Sequence, residues 1–277
     1  MSLGLALSGG GVKGIAHLGV LKYFEERKIN IEYISGCSSG SIVATLYAIG
    51  YSSEEIYELC NKYVKQFIKG MFRYNVFNIG SIKKSMGLNN GNMIESVIKN
   101  VCNQKGVNDI RDIKIPIFIP TVDLPTGRII YYTNVNKTYI DRYDNTYTYI
   151  YGGDISQIIR ASCSYPGLFS PKRIDEYLLV DGGLRDNVPI YPLTTTNANN
   201  ILAVTFNSND GRNIDNIFNV IFQSFEILVH DNNFEATKEA DYVLEINLNN
   251  VQLLDISKMQ YIYEQGYLQA KKYFEYN

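Results

Sequence analysis

Ile31-Glu32-Tyr33-Ile34-Ser35-Gly36-Cys37-Ser38-Ser39-Gly40-Ser41-Ile42-Val43-Ala44-Thr45-Leu46-Tyr47-Ala48-Ile49 is the stretch on which the reading of this chain turns. The apolar run Ile31 to Ile34 reads as a strand, and Ser41 to Ile49 reads as a helix. Between them Gly36 and Gly40 bracket Ser38 in a G-x-S-x-G turn. A strand that reverses so sharply into a helix leaves no room for flanking side chains, and glycine has none. Such a turn lifts the Ser38 hydroxyl clear of the sheet, beside the free N–H groups of a helix start. That is the setting of a nucleophile elbow. The same letters also fit a tight turn whose serine only caps the helix.

Upstream, Leu3 to Leu7 reads as a buried strand and Ser8-Gly9-Gly10-Gly11-Val12-Lys13-Gly14 as a glycine loop. Ile15 to Arg27 follows as a helix, with Ile15, Leu18, Leu21 and Phe24 recurring every three residues. Strand, loop, helix, strand, elbow and helix make a βαβα unit, whose crossover implies parallel strands. The expected fold class is therefore α/β, a central, mostly parallel sheet flanked by helices.

Gly9 to Gly14 matches G-x-G-x-x-G, but the dinucleotide reading needs an acid at the end of the second strand. Gly36-Cys37-Ser38 stands there, and Glu32 comes too early. A Walker loop fails as well, because Ile15-Ala16 follows Gly14. What remains is an anion cradle of main-chain N–H groups, or a turn that only lets a helix pack closely. In a βαβ unit the cradle and the elbow leave the carboxyl ends of adjacent strands, so an oxyanion hole beside Ser38 is geometrically natural.

A serine nucleophile needs a proton acceptor. The chain has two histidines, His17 in the first helix and His230 in Leu228-Val229-His230-Asp231. The order Ser38, Asp181, His230 fits a hydrolase triad, though only one strand precedes the nucleophile strand here. Asp181 is the stronger candidate. Leu178-Leu179-Val180-Asp181-Gly182-Gly183 puts a carboxylate at a strand end, and Gly182 and Gly183 let the backbone turn it toward a neighbour. Turn capping is the plainer alternative for Asp181.

Further along, Ser53 begins a helix with Glu54 and Glu55 in its first turn, and Asn92 to Cys102 reads as another. Ile115 to Val122 reads as a strand broken by Pro116 and Pro120, paired with Arg128 to Thr133 across the Pro125-Thr126-Gly127 turn. Tyr139 to Tyr151 reads as a surface loop or hairpin. Ile155 to Ser162, Ile214 to Ala240 and Lys258 to Tyr273 read as helices; Tyr177 to Val180, Ile201 to Phe206 and Tyr242 to Ile246 read as strands. With no repeat or linker in the pattern, 1–277 is expected to be a single domain.

Five ordered blocks together resemble the patatin-like phospholipase family. They are Gly9 to Leu21, Gly36 to Ser41, Thr121-Val122-Asp123-Leu124-Pro125-Thr126-Gly127, Arg160 to Pro171, and Asp181-Gly182-Gly183-Leu184-Arg185-Asp186-Asn187-Val188-Pro189. The resemblance spans almost the whole chain and implies a three-layer patatin-like fold. It implies a Ser–Asp dyad: Ser38 as nucleophile in the Gly36–Gly40 elbow, Asp181 of the Asp181-Gly182-Gly183 motif as proton acceptor. It also implies an oxyanion hole in Gly9, Gly10, Gly11, Val12, Lys13 and Gly14, through the Gly10 and Gly11 amides, and an acyl-binding wall in Ala161 to Pro171, where the plainer alternative is that Pro166 and Pro171, with Leu168 and Phe169 between them, simply fold a loop. The implied activity is hydrolysis of fatty-acyl esters, of phospholipase A or lysophospholipase type, with a phospholipid or other acyl lipid as substrate. Other acyl esters such as acylglycerols, or a catalytically silent lipid-binding protein, are the alternatives.

Bulk properties bound the partners. The chain has 277 residues, of which 19% are charged and 45% hydrophobic, and a net charge of −2, which speaks for a globular protein and against nucleic acid. Cys37, Cys60, Cys102 and Cys163 show no metal or disulfide spacing, so neither metal nor cofactor is expected. Met1 to Leu7 has no signal-peptide pattern and no apolar run is long enough to span a bilayer, so a cytoplasmic protein is expected. Residues 59–94 contain no acid but carry Lys62, Lys65, Lys69, Arg73, Lys83 and Lys84 among aromatics. That segment is a candidate peripheral contact with a membrane surface, the alternative being packed aromatics with a solvated lysine face.

Overall fold

The computed structural model describes residues 3–71, 86–136, 147–207, 217–249, 251–252 and 254–276. Their strands are β1 Leu3–Leu7, β2 Ile31–Gly36, β3 Ile117–Asp123, β4 Ile129–Thr133, β5 Tyr147–Tyr151, β6 Lys172–Ile174, β7 Tyr177–Asp181, β8 Asn200–Phe206 and β9 Tyr242–Ile246. Their helices are α1 Ile15–Arg27, α2 Ser39–Ala48, α3 Ser53–Met71, α4 Asn92–Gln104, α5 Ile155–Ser162, α6 Tyr191–Thr194, α7 Ile217–Thr237 and α8 Met259–Tyr276.

The sheet runs β5-β4-β3-β2-β1-β8-β9, and the β6–β7 hairpin is added at β3. β1 is parallel to both β2 and β8, with Leu5 opposite Ile34 on one side and Leu202 on the other. β2 is parallel to β3 and β8 to β9, while β4 runs antiparallel to β3. Along β1, Leu5 and Leu7 enter one core and Ala6 the core on the opposite face, as a period of two requires. Both faces are covered, which is why these strands read as unbroken apolar runs. The α/β expectation holds, with β4, β5 and β7 running antiparallel to the other main strands.

Three readings change in detail. β3 is not broken at Pro120: it continues through it, opposite Tyr131. On its other edge β3 pairs with β2 only at Ile117 and Phe118, and with β7 only from Thr121 onward. Pro120 stands in the gap between those two partners, where a missing N–H forfeits no ladder bond. Tyr147 to Tyr151 is a half-buried edge strand parallel to β4, which a hairpin partner could not be; residues 137–146 lie outside the described residues. The strand before Ser38 continues to Gly36 and the helix begins at Ser39, so the reversal is tighter than the apolar run alone suggests.

α1 is buried against the sheet and against α8, where two glycines allow the backbones to touch. A Cβ on Gly19 would lie 2.2 Å from the Tyr263 carbonyl oxygen, and one on Gly266 2.0 Å from that of Ala16. Around this crossing Tyr23 stacks on Phe274 with ring centroids 5.9 Å apart, and the Tyr267 hydroxyl donates to Glu26 at 2.7 Å. Among the described residues no helix is long and apolar enough to cross a membrane.

Because a methyl at either glycine must push the helices apart, Gly19→Ala and Gly266→Ala are each expected to cost at least ~2 kcal/mol in urea denaturation. The double variant should cost clearly less than their sum, since the first substitution already opens the crossing that the second would strain.

Candidate active site

Ser38 has φ 49° and ψ −121°, a backbone state that L-residues seldom adopt. Holding a non-glycine residue there costs about 1–3 kcal/mol, which the surroundings must supply. They do so through short bonds on both sides of the residue. The Cys37 N–H donates to the Leu7 carbonyl at 3.1 Å, the Gly40 N–H to the Cys37 carbonyl at 2.7 Å, and the Ser41 hydroxyl to the Ser38 carbonyl at 2.6 Å. A Cβ on Gly40 would lie 2.4 Å from the Leu7 carbonyl oxygen, so the start of α2 rests directly on the end of β1.

The pairing of β3 explains how Ser38 meets Asp181. β4 occupies one edge of β3, so β2 and β7 share the other edge, running toward each other. Their ends, Gly36-Cys37-Ser38 and Asp181-Gly182, converge beside Pro120. The sequence reading placed Asp181 correctly at a strand end, but β7 reaches the site antiparallel to β3. Ser162 bridges the gap: its hydroxyl accepts from the Ser38 N–H at 3.1 Å and donates to the Pro120 carbonyl at 2.9 Å.

Asp181 is 3% exposed. Its Oδ1 accepts from the Gly183 N–H at 2.8 Å and from the Cys37 thiol at 3.7 Å. Burial raises its pKa from 3.8 to about 6, against the opposing pull of the Ser38 hydroxyl, the Gly183 N–H and the Cys37 thiol. Oδ2 is buried and has no hydrogen-bond partner among the described residues. The Ser38 hydroxyl is thus a neighbour of the buried Asp181 carboxyl.

The glycine loop lies on the other side of Ser38. The Gly9 N–H is used by the Asn187 carbonyl at 3.1 Å and the Lys13 N–H by the Gly10 carbonyl at 3.2 Å. The Gly10 and Gly11 amides make no hydrogen bond among the described residues. Lys13 is buried and its Nζ reaches the Asn207 carbonyl at 3.5 Å, tying the loop to the end of β8. His17 is fully buried, lies tilted against Phe206 with ring centroids 4.8 Å apart and bonds the Ser8 carbonyl through Nε2 at 2.8 Å. Burial lowers its pKa to about 4, so it is neutral near pH 7 and donates that bond. His17 supports the loop; His230 falls within α7.

A cavity of about 220 Å³ opens at Ser38 and runs between α2, α3, α4 and the loop after α5. Its walls include Val12, Ile42, Leu46, Leu59, Tyr63, Ile98, Val101, Leu168 and Phe169. The Arg160–Pro171 block does line this space, through Cys163, Tyr165, Leu168 and Phe169. Arg160 holds that wall in place. Fully buried, it donates to the Asn90 carbonyl at 2.7 and 3.1 Å and to the Ser170 carbonyl at 2.7 Å, and its guanidinium sits 5.5 Å over the Phe169 ring. Of the 59–94 segment, Leu59, Cys60, Tyr63, Met93 and Ile94 face this cavity and Lys62 Nζ lies 5.1 Å over the Tyr63 ring. Arg73, Lys83 and Lys84 lie outside the described residues, as do the side chains of Lys65 and Lys69.

A hydroxyl, a buried carboxyl and unpaired main-chain amides at the mouth of an apolar cavity are the parts that acyl transfer uses. A model of the patatin-like phospholipase family matches residues 5–194, more than half of the sequence. The chain belongs to the patatin-like phospholipase family. Among its relatives, a lysophospholipase NTE1 of Meyerozyma guilliermondii is 27% identical over 265 residues, which are 93% of this chain and 16% of that protein. The YqhO protein of Bacillus subtilis is 27% identical over 271 residues, 91% of this chain and 90% of that one. The chain therefore spans less than a fifth of the lysophospholipases it matches. The crystal structure of VipD from Legionella pneumophila superimposes with a TM-score of 0.53 at 16% identity, covering 99% of this chain and 66% of VipD. That likeness is one of fold.

Beyond the residues singled out in the patatin-like motifs, the site depends on three that the sequence reading passed over. Ser162 spans the strand gap, Arg160 pins the cavity wall, and Asn187 wedges its amide oxygen between Gly9 and Gly183. Each sits in a recognised block, yet each reaches at least one partner far away in sequence, Ser38 and Pro120 for Ser162, Asn90 for Arg160 and Asn233 for Asn187, which residue spacing does not register. Among the described residues no three His, Cys, Asp or Glu side chains form a metal site.

The burial of Asp181 has a thermodynamic signature. With the native pKa near 6 and the ordinary value at 3.8, the native state holds the extra proton between these values. Its stability therefore falls as pH rises from about 4 to 6. Asp181→Asn removes the buried charge, so its stability relative to wild type should be unchanged below pH ~4 and grow to on the order of 3 kcal/mol by pH 7. Asp186, also raised to about 6 against Tyr131, contributes equally to both proteins and cancels. Urea denaturation across pH 3.5–7.5 measures the difference; a constant offset would contradict the assignment.

Proposed function

We propose that this chain is a serine-dependent lipid acyl hydrolase of phospholipase A or lysophospholipase type, working through Ser38 and Asp181. The observation that carries the reading is the convergence at the cavity mouth of a strained Ser38 and a buried Asp181. Family membership and the lysophospholipase relatives support the substrate class.

In the proposed reaction the fatty-acyl chain lies in the apolar cavity and its ester carbonyl meets Ser38. Ser38 Oγ attacks the carbonyl carbon as Asp181 takes the hydroxyl proton, and the Gly10 and Gly11 amides receive the developing oxyanion. Collapse expels the alcohol, which regains the proton from Asp181 and leaves an acyl-enzyme. Water then attacks this ester, with Asp181 again the base, and releases the fatty acid. A carboxylate at the ordinary 3.8 is a poor base for a hydroxyl; burial to about 6 strengthens it while leaving it mostly ionised at pH 7. No positioned histidine is required, and Lys13 and His17 act by holding the glycine loop.

Release of fatty acid from defined phospholipids and lysophospholipids tests this reading. Ser38→Ala and Asp181→Asn should each lose ~10³-fold or more in kcat/KM, whereas His230→Ala stays near wild type. The wild-type kcat/KM should rise with pH through about 6 as Asp181 ionises. Lengthening the acyl chain should raise kcat/KM by up to about fourfold per methylene until the cavity is full. Turnover confined to acylglycerols would move the substrate class, and lipid binding without Ser38-dependent release would make the chain a binding protein.

A further inference from the structure

The fold treats the two oxygens of Asp181 unequally. Oδ1 accepts from the Gly183 N–H at 2.8 Å and from the Cys37 thiol at 3.7 Å, the longer reach of a weak sulfur donor. Oδ2 is buried with no hydrogen-bond partner among the described residues. Cys37 is itself fully buried, and its main chain is held on both sides. Its N–H donates to the Leu7 carbonyl at 3.1 Å and its carbonyl accepts from the Gly40 N–H at 2.7 Å, so the thiol has little freedom to turn away. Burial above all, then the Asp181 and Asp186 carboxyls, raises this thiol well above its ordinary range, so it keeps its proton and meets Asp181 as a donor. The other ionisable groups around the pair are Cys163, after α5, pushed up to about 12 chiefly by burial, and Asp186, after β7. Against burial, the pull toward an ionised Asp181 comes from the Ser38 hydroxyl, the Gly183 N–H and the Cys37 thiol.

We propose that Cys37 is a positioning residue: with the Gly183 N–H its thiol holds Oδ1 of Asp181, which fixes the carboxylate and leaves Oδ2 to take the Ser38 proton. The role rests on the hydrolase reading; the contact stands on the geometry. A carboxylate anchored at one oxygen by two donors has a fixed plane, and a base held in place is worth more than the same base free to swing. The thiol also bonds the charged form, which favours it where burial disfavours it. An apolar side chain at position 37 would fill the same space and leave Oδ1 to Gly183 alone.

Cys37→Ala removes the donor and Cys37→Ser returns one. With a water-soluble short-chain ester, Cys37→Ala should lower kcat by about tenfold or more while KM stays within about twofold. The midpoint of its kcat/KM rise should move up from about 6 by roughly half a pH unit or more, because Asp181 has lost a donor to its charged form. Cys37→Ser should recover most of both effects. A second readout needs no turnover. A higher native pKa costs more stability as pH rises, so in urea denaturation the deficit of Cys37→Ala against wild type should grow through about pH 6. That growth should vanish when both proteins also carry Asp181→Asn. Ser38-dependent hydrolysis with an unmoved midpoint and a deficit constant in pH would overturn the inference and leave the thiol as core filling. A deficit that grows with pH in a protein that hydrolyses no ester would uphold the contact but defeat the hydrolase reading, and the positioning role with it.

Discussion

One edge of one strand governs this structure. β3 gives its free edge to two strands from opposite directions, and neither fills it. Where a sheet would ordinarily continue there is a short gap, occupied by a proline that has no N–H to lose and bridged by the Ser162 hydroxyl. The gap lets two chain reversals, one at Ser38 and one at Asp181, face each other within a hydrophobic interior. The strain at Ser38, the burial of Asp181 and the cavity that opens beside them all follow from that unfilled length of strand.

Burial works in two directions here. It withholds water from Asp181 and so makes the charged form expensive, which lowers stability at neutral pH and at the same time turns a weak base into a more capable one. It also neutralises His17 and raises the Cys37 and Cys163 thiols well above their ordinary range, so none of these three offers a competing charged or nucleophilic group near neutrality. A local cost in stability thus falls where the proposed chemistry would need it.

Much of this was legible in the residues. Apolar runs gave β1, β2, β8 and β9, and the Gly36–Gly40 bracket located the reversal that coordinates place at Ser38. Legibility failed where the cause lies at long range. Pro120 reads as a strand breaker unless its neighbour is known to be missing, and Tyr147–Tyr151 reads as loop because an edge strand needs no aliphatic run. The antiparallel arrival of β7 is a matter of pairing, on which Leu178-Leu179-Val180 is silent. Ser162 and Arg160 bond main-chain atoms, and main-chain atoms are the same in every sequence.

The contact of Gly19 with Gly266 links the beginning of the fold to its far end. α1 carries the glycine loop at its front and the wall against α8 on its flank, so the loop rests on a helix seated by residues more than two hundred positions later. During synthesis, β1, α1 and β2 emerge long before α8 does, and until then one flank of α1 faces water. The amide cradle beside Ser38 is therefore made well before the helix that braces it, and it stays without that support until α8 docks.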